Sequence, residues 1–230
     1  MAISRKRKFD IFKGIRKEAR FRRFRRLRMV DVEAQLRMMM NNPSAQFRGI
    51  QKRVIEAIIK DMSPVVQVTG TGGGKSLSFM LPAFCSPEGT TVVVVPLVAL
   101  QGDLNERCRA SGIDTHVWQS RESNRAASIV FVTPEAAVTK GFQSFINRLQ
   151  GRGQLDRVVV DECHTVLDSE HGFRPQLREL GGVLRGLAVQ TICLTATLGP
   201  EDVDEFCRRI RFEKQRVYLF RARTIRINIA

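Results

Sequence analysis

The segment 65–76 constrains the fold more strongly than any other part of this 230-residue chain. Val65 to Val68 is a short β-branched run that predicts a buried strand, and it leads directly into a glycine-rich turn. Successive backbone N–H groups in such a turn can cradle phosphates, while a lysine supplies a cation and a serine hydroxyl can bind Mg²⁺. The residues that predict this phosphate-binding loop are Thr69, Gly70, Thr71, Gly72, Gly73, Gly74, Lys75 and Ser76.

Short apolar runs alternate with amphipathic stretches from Gln46 onward. Helical spacing begins with Phe47, Ile50, Val54 and Ile58, and further helices are predicted at 76–84, 99–111, 135–150, 176–184 and 200–211. Strands are predicted at 65–68, 90–95, 129–133, 157–160 and 190–194. This alternation is typical of a parallel sheet covered by helices on both faces. The chain is therefore predicted to be an α/β protein with one P-loop domain at 41–220.

A pair of acidic residues follows the predicted strand 157–160, in the run Asp161-Glu162-Cys163-His164. A phosphate-binding loop needs an acidic group at the end of a neighbouring strand to hold its metal ion. Asp161 would bind Mg²⁺ together with Ser76, and Glu162 would orient and deprotonate the water that attacks a γ-phosphate. The two elements together predict ATP and Mg²⁺ as cofactors, with Lys75, Asp161 and Glu162 as catalytic residues.

These elements, together with Leu194-Thr195-Ala196-Thr197, resemble motifs I, II and III of superfamily 2 helicases, in which the first loop position is not normally glycine. Within that superfamily the chain is most similar to RecQ-type DNA helicases over residues 46–230. The resemblance rests on a motif 0 match at Phe47-Arg48-x-x-Gln51, on 95–100, on Thr133-Pro134-Glu135, on Phe173-Arg174-Pro175 and on 223–229. The amino-acid sequence of 89–100 is most similar to that of the subtelomere-associated subgroup of RecQ helicases.

The resemblance implies a single RecA-like lobe that binds ATP and acts on DNA, either single-stranded or at a duplex junction, with 3′ to 5′ unwinding in the complete family. Gln51 would read the adenine, and Arg48 would pack on the base. Thr195, Thr197 and His164 would couple the phosphate site to the nucleic acid. The residues expected to contact the nucleic acid are Pro96, Thr133, Phe173 and Arg174.

Two departures limit what the resemblance implies. Ser169 stands where many relatives carry a tryptophan that can stack on a base. Motifs IV to VI, including the arginine that reaches the γ-phosphate, are missing, and 221–230 would begin the linker to an absent second lobe. We expect the 230-residue polypeptide to bind ATP·Mg²⁺ weakly, to hydrolyse it very slowly and not to unwind a duplex alone.

The net charge of +15 is concentrated near the N-terminus, where residues 1–30 hold 13 basic and 2 acidic side chains. Residues 1–40 are predicted to be a flexible basic extension, and 31–42 favours a short Met-rich helix at its end. Its basic run has three alternative roles: nuclear localisation through Arg5 to Lys8, contact with nucleic acid, or a mitochondrial presequence. The longest apolar stretch, 92–100, is far short of a membrane span, and the N-terminus lacks the apolar region of a secretory signal, so neither export nor a membrane partner is expected.

The five cysteines are odd in number and show no C-x-x-C spacing, which argues against a disulfide framework and against a zinc site. A reducing compartment is the simpler interpretation, and the nucleus is the expected location. Two other functions stay open: a degenerate, non-enzymatic nucleic-acid-binding fragment anchored by its basic tail, and one lobe of an RNA helicase. Intact Lys75, Asp161 and Glu162 favour the enzyme.

Overall fold

Parallel strands form a single sheet at the centre of the molecule. The computed structural model describes residues 18–120, 124–167, 179, 181–182, 186–187 and 189–222. Within these residues the strands are β1 (Val65–Val68), β2 (Thr90–Val94), β3 (Thr115–Val117), β4 (Ile129–Val132), β5 (Leu155–Val160), β6 (Gln190–Thr195) and β7 (Tyr218–Arg221). Their order in the sheet is β3-β4-β2-β5-β6-β1-β7, and every described pairing is parallel.

Helices cover both faces of this sheet. They are α1 (18–28), α2 (Val32–Met39), α3 (Gln51–Ile59), α4 (Leu77–Cys85), α5 (Val98–Ala110), α6 (Pro134–Ala137), α7 (Lys140–Gly151) and α8 (Val203–Ile210). Short 3₁₀ turns lie at Cys163–Val166 and Lys214–Arg216. No helix among the described residues combines the length and the apolar character that crossing a bilayer requires.

Two buried apolar clusters lie on opposite sides of the sheet, because neighbouring residues of a strand point to opposite faces. In β1, Val65 belongs to the cluster formed with α1, α3 and α4, whereas Val66 and Val68 belong to the cluster formed with α7 and α8. The strands are therefore buried on both sides, as continuous β-branched runs predict. The predicted α/β fold with helices on both faces of a parallel sheet is confirmed.

Three local features differ from the sequence prediction. The single helix predicted at 135–150 is divided into α6 and α7, because the Thr139 hydroxyl accepts a hydrogen bond from the backbone N–H of Phe142 and caps a new helix start. Strands β3 and β7 were not predicted, since runs of three and four residues at the two sheet edges carry little periodic signal. The helix predicted at 176–184 lies mostly outside the described residues.

Residues 18–40 lie within the predicted basic extension, in which a short Met-rich helix was expected at 31–42. They form α1 and α2, and Phe24 and Leu27 on α1 are buried in the core. Two arginines on the same side of α1 reach aspartates far along the chain: Arg23 pairs with Asp156 at 2.5 Å, and Arg20 pairs with Asp61 at 2.8 Å. Residues 1–17 lie outside the described part of the chain.

Candidate functional site

Three chemically distinct loops meet at the carboxyl edge of the sheet. They follow β1, β5 and β6, which are neighbours in the order β5-β6-β1. Because all three strands are parallel, the loops at their carboxyl ends leave the sheet on the same side. The first loop is the glycine-rich segment 69–76, the second begins with Asp161 and Glu162, and the third is 196–199.

The glycine-rich loop is held to the neighbouring strand at its start and opens onto a helix at its end. The backbone N–H of Thr69 donates to the carbonyl of Thr195 at 2.9 Å, and that of Gly73 donates to the carbonyl of Gly70 at 3.0 Å. Ser76 is the N-cap of α4, so the positive end of that helix faces the loop. This is the arrangement that suits an anion such as a phosphate chain.

Glycine is required at two positions of the loop by conformation. Gly72 and Gly74 have φ angles of +77° and +72°, a region that side chains rarely adopt. A Cβ atom on Gly74 would also collide with the Gln51 amide, which packs against the loop. The bare backbone therefore lines the concavity, as phosphate binding requires.

Lys75 connects the glycine-rich loop with the acidic loop. Its Nζ donates to the Thr69 carbonyl at 3.3 Å and lies 3.8 Å from Oε1 of Glu162. The ammonium group is partly buried and is held by this carbonyl and this carboxylate. A phosphate entering the loop would therefore meet a cation already positioned on it.

Asp161 and Glu162 differ in their electrostatic surroundings. Burial, reinforced by the charge on Glu162, raises the pKa of Asp161 to about 6, although its Oδ1 accepts the Glu162 backbone N–H at 3.0 Å. A hydrogen bond from His164 and the charge of Lys75 hold the pKa of Glu162 below its usual value. Glu162 is therefore ionised at neutral pH, whereas ionised Asp161 is poorly compensated and would gain from a cation.

Glu162 also has a left-handed backbone, with φ at +46° and ψ at +45°. A residue with a side chain adopts this conformation at a cost of about 1 kcal/mol or more. The carbonyl of Glu162 accepts hydrogen bonds from both the backbone N–H and the hydroxyl of Thr165, at 3.1 and 2.9 Å. These bonds hold the strained turn that aims the carboxylate at Lys75.

His164 joins the acidic loop to the loop after β6. Its Nδ1 lies 2.9 Å from the Thr195 hydroxyl and 3.4 Å from Oε2 of Glu162. The Thr195 hydroxyl in turn donates to the Thr197 carbonyl at 3.2 Å and accepts from the Thr197 backbone N–H at 3.1 Å. Thr195 is buried and Thr197 is exposed, so this chain of contacts runs from the Glu162 carboxylate to the surface.

The motif 0 residues contact each other and the glycine-rich loop. The Gln51 amide donates to the Gly73 carbonyl at 3.0 Å and accepts the Arg48 backbone N–H at 2.8 Å. Gln51 therefore braces the phosphate-binding loop, and one N–H and one acceptor lone pair stay available for a base. Arg48 is exposed, and no hydrogen bond of its guanidinium to another described residue is found.

Two of the residues expected to contact the nucleic acid follow strands of the central sheet. Pro96 is buried just after β2, and Thr133 follows β4, so both lie at the same edge as the glycine-rich loop. The Thr133 hydroxyl accepts the Ala136 backbone N–H at 3.2 Å and caps α6. Phe173 and Arg174 lie outside the described residues.

Gln67 is a site residue that the sequence analysis missed. Its side chain is fully buried in β1, donates to the Thr69 hydroxyl at 3.1 Å and accepts the Ser78 hydroxyl at 2.5 Å. It thereby links the residue that begins the phosphate-binding loop to the helix that follows the loop. The sequence does contain a signal for it, a single polar residue in the run Val-Val-Gln-Val. A polar side chain in a buried strand needs a hydrogen-bond partner, which indicates a paired glutamine here.

The donor set fits magnesium better than a metal held by protein ligands alone. Among the described residues, no three His, Cys, Asp or Glu side chains gather as a metal site. Mg²⁺ typically takes one or two carboxylates, water and the phosphates of its nucleotide. Ser76 and the under-compensated Asp161, beside a phosphate cradle, provide that kind of site.

Comparison with known proteins places these motifs in a family context. Residues 48–206 match the family model described as "DEAD/DEAH box helicase". The chain is 30% identical to ATP-dependent DNA helicase RecQ of Bacillus subtilis, over 74% of this chain and 30% of that protein. It is 31% identical to rat ATP-dependent DNA helicase Q5, over 78% of this chain and 20% of that protein. The chain thus spans less than a third of the length of these relatives.

Solved structures with the same fold come from several helicases. The DUF1998 helicase MrfA bound to DNA superposes with a TM-score of 0.63 at 19% identity, over 81% of this chain and 29% of that one. The yeast DEAD-box splicing factor Prp28 superposes with a TM-score of 0.58 at 17% identity, over 82% of this chain and 48% of that one. At these identities the likeness shows the fold.

Proposed function

Because the chain belongs to the DEAD/DEAH box helicase family, we propose that it is the ATP-binding motor lobe of a RecQ-like DNA helicase. The resemblance to RecQ helicases that the motifs predicted is confirmed by the relatives from Bacillus subtilis and rat. Its assignment to the subtelomere-associated subgroup stays a prediction. Since the chain covers only a part of these relatives, the activity of a whole helicase is proposed here and not assigned.

One observation carries the proposal. The ammonium of Lys75 lies 3.8 Å from the Glu162 carboxylate, and that carboxylate lies 3.4 Å from His164, which contacts Thr195. One continuous set of contacts thus joins a cation that can bind phosphate, a carboxylate that can take a proton from water, and polar side chains that lead to the surface. Such a set is what coupling ATP hydrolysis to another ligand requires.

Each residue of this set has a role that follows from its surroundings. The backbone N–H groups of 69–76 and the Lys75 ammonium would bind the phosphate chain, and the Ser76 hydroxyl with Asp161 would hold Mg²⁺. Bound ATP·Mg²⁺ supplies the phosphoryl group and neutralises charge on its oxygens. Glu162, ionised because His164 and Lys75 stabilise its charge, would orient a water molecule and take its proton.

Adenine recognition would use the Gln51 amide. One amide N–H can donate to adenine N7, and a lone pair of the amide oxygen can accept from the N6 amino group. The second amide N–H meanwhile keeps its hydrogen bond to the loop. Arg48, exposed beside it, is free to pack on the base. Binding of the base would thereby be sensed by the loop that holds the phosphates.

DNA is the proposed polymer partner, and Pro96, Thr133, Thr197, Phe173 and Arg174 are its proposed contacts. The solved relative MrfA is bound to DNA, and the similar curated proteins are DNA helicases. The structural neighbours also include the yeast DEAD-box splicing factor Prp28. RNA is therefore the alternative outcome of the test below.

The test is nucleotide binding and hydrolysis by the purified chain and two variants. Lys75→Ala removes a charge-assisted hydrogen bond to phosphate, so a fluorescent ATP analogue should bind about 10- to 150-fold more weakly in Mg²⁺. Glu162→Gln should keep binding within about threefold but lower the hydrolysis rate by about 10²-fold or more. Lys214→Ala, an exposed lysine paired with Asp204 away from the site, is the matched control.

The polymer is identified in the same assay by adding single-stranded DNA or RNA of equal length. Stimulation by DNA supports the proposal, and stimulation by RNA alone would replace it with an RNA helicase lobe. Absence of ATP binding by the unaltered chain would select the non-enzymatic alternative. We also propose a nuclear location, which the basic run Arg5 to Lys8 supports and which microscopy of a fluorescently tagged chain would test.

A further inference from the structure

Helix α1 carries an outward face of arginines that the proposed motor site does not use. Four of the six basic residues in 18–28 are exposed, and we call them the basic face: Arg22, Arg25, Arg26 and Arg28. The other two point inward, where Arg20 is neutralised by Asp61 and Arg23 by Asp156. The charge that remains on α1 is therefore directed towards solvent.

The basic face is held rigidly on the domain. Arg20 bonds both oxygens of Asp61, at 2.8 and 3.0 Å, and its guanidinium lies 4.3 Å from the centre of the Phe24 ring. Arg23 donates to Asp156 and to the Gly153 carbonyl, both at 2.5 Å. Paired guanidinium groups and buried apolar residues fix the rotation of α1, so the same arginines face outward in every molecule.

A groove of about 690 Å³ runs along this face. Its lining includes Arg22, Arg23, Arg25 and Arg26 against a single carboxylate, Glu88. Glu88 pairs with Arg26, and Glu18 pairs with Arg22, with all four side chains more than half exposed. Exposed pairs of this kind contribute about 0–1 kcal/mol, so a phosphate can replace either carboxylate at little cost.

The basic face lies at the opposite edge of the sheet from the ATP site. Its anchors are Asp61, before β1, and Asp156, the second residue of β5, while Glu88 precedes β2. These positions mark the amino edge, whereas the glycine-rich loop leaves the carboxyl edge. Strands of four to six residues separate the two edges by roughly 13–20 Å.

We propose that the basic face binds the phosphodiester backbone of a nucleic acid strand, without reading its sequence, as a second contact separate from the motor site. Guanidinium groups pair with phosphate oxygens through two parallel hydrogen bonds, and contacts to the backbone carry no base information. The sequence that precedes α1 adds seven basic residues and one acidic residue in 1–17, so the positive charge continues along the chain.

The proposal predicts a binding mode that needs neither ATP nor Lys75. The full 230-residue chain is titrated into a fluorescein-labelled 30-nucleotide DNA strand without nucleotide, and anisotropy is followed between 50 and 200 mM salt. Arg22→Glu/Arg25→Glu should weaken binding tenfold or more and reduce the slope of log affinity against log salt by about 1.4, the value for two phosphate contacts on a single strand. Arg22→Gln/Arg25→Gln should show a smaller loss in the same direction.

The matched control is Arg107→Glu/Lys214→Glu, which makes the same change in net charge at exposed positions away from α1. The control should bind the strand nearly as well as the unaltered chain. Circular dichroism melts should agree among all proteins, because the exchanged side chains are exposed. Lys75→Ala should leave this binding unchanged, so that failure of the proposed ATP site and failure of the basic face give different results.

Three results would overturn the proposal. One is equal loss of affinity in the α1 variants and the control, which would indicate a general charge effect. Another is absence of binding by the unaltered chain to DNA and to an RNA strand of the same length. The third is binding only to vesicles of phosphatidylcholine with 30% phosphatidylserine, which would make the face a membrane contact instead.

Discussion

Asp161 and Glu162 are adjacent in sequence, yet their surroundings shift the pKa values of their carboxyl groups in opposite directions. Burial raises the pKa of Asp161 to about 6, and the hydrogen bond from His164 lowers the pKa of Glu162. Asp161 is the more deeply buried of the two and also feels the charge of Glu162, whereas Glu162 gains the hydrogen bond from His164 and lies 3.8 Å from the Lys75 ammonium. The environment of each side chain thus suits its proposed role.

A substitution at Asp161 should separate stability from activity. Asp161→Asn removes a poorly compensated charge but keeps an oxygen that can accept the Glu162 backbone N–H. We expect the free energy of unfolding at pH 7.5, without Mg²⁺ or nucleotide, to rise by roughly 1–3 kcal/mol. Mg²⁺-dependent ATP hydrolysis should be lost. Urea denaturation followed by circular dichroism, and a phosphate-release assay, measure the two effects.

The stability gained by Asp161→Asn depends on pH, because burial raises the pKa of Asp161 in the folded protein. The folded-state pKa of Asp161 lies above its ordinary value of 3.8, so the folded protein binds this proton more tightly than the unfolded chain does. The destabilisation is fully present above about pH 6 and fades as the pH falls towards 4. The advantage of Asp161→Asn should therefore shrink at pH 5. Asp114→Asn is the control, because Arg125 lowers the pKa of Asp114 and no gain is expected.

At the scale of elements, α1 shows how one basic segment serves two purposes. The spacing of Phe24 and Leu27 places them on one side of the helix, with Arg20 and Arg23 on the same side. The buried guanidinium of Arg23 is stable there because Asp156 receives it, and the partly buried guanidinium of Arg20 is paired with Asp61. The segment is therefore part of the domain on its inner side and a charged surface on its outer side.

Removing one partner of the buried pair should destabilise the protein strongly. Arg23→Met leaves the Asp156 carboxylate buried without its hydrogen-bonding cation, a loss we expect to be about 3–5 kcal/mol in the free energy of unfolding. Arg26→Met, three residues further along α1, breaks only the exposed pair with Glu88. This substitution should lower the free energy of unfolding by less than about 1 kcal/mol. Urea denaturation compares the two variants. Equal losses would show that α1 is not anchored through Asp156.

At the scale of the whole molecule, the strand order sets which loops work together. The loops after β1, β5 and β6 adjoin because these strands are neighbours, although the four strands β2 to β5 lie between Lys75 and Glu162 in the sequence. The opposite edge of the sheet carries the basic face of α1. Two surfaces suited to phosphate thus lie at the two ends of one set of parallel strands.

The polypeptide should bind nucleotide without separating strands. The described residues contain one parallel sheet with one phosphate-binding loop, and an arginine contributed across a cleft is worth about 10³- to 10⁵-fold in rate in related phosphoryl-transfer enzymes. We therefore expect slow hydrolysis and no unwinding of a 3′-tailed duplex in a gel-based assay. Strand separation by the purified 230-residue chain that Lys75→Ala abolishes would contradict this expectation.

Local sequence was enough to predict the glycine-rich loop after β1, the acidic pair at the end of β5, the central strands and the α/β class. These features depend on residues close together in the chain, such as the glycines that permit positive φ angles at 72 and 74. The packing of α1 into the core was not predicted, because a run of arginines has the composition of a solvated tail whatever it packs against.

Tertiary structure decided the features that depend on distant partners. The pairing of Arg23 with Asp156 joins residues 133 positions apart, and the contact of His164 with Thr195 depends on β5 lying next to β6. Gln67 belongs to the site because Ser78 and Thr69 meet it inside the domain. Local composition determines which conformations a segment can adopt, whereas the burial and neutralisation of a charge depend on what the fold brings against it.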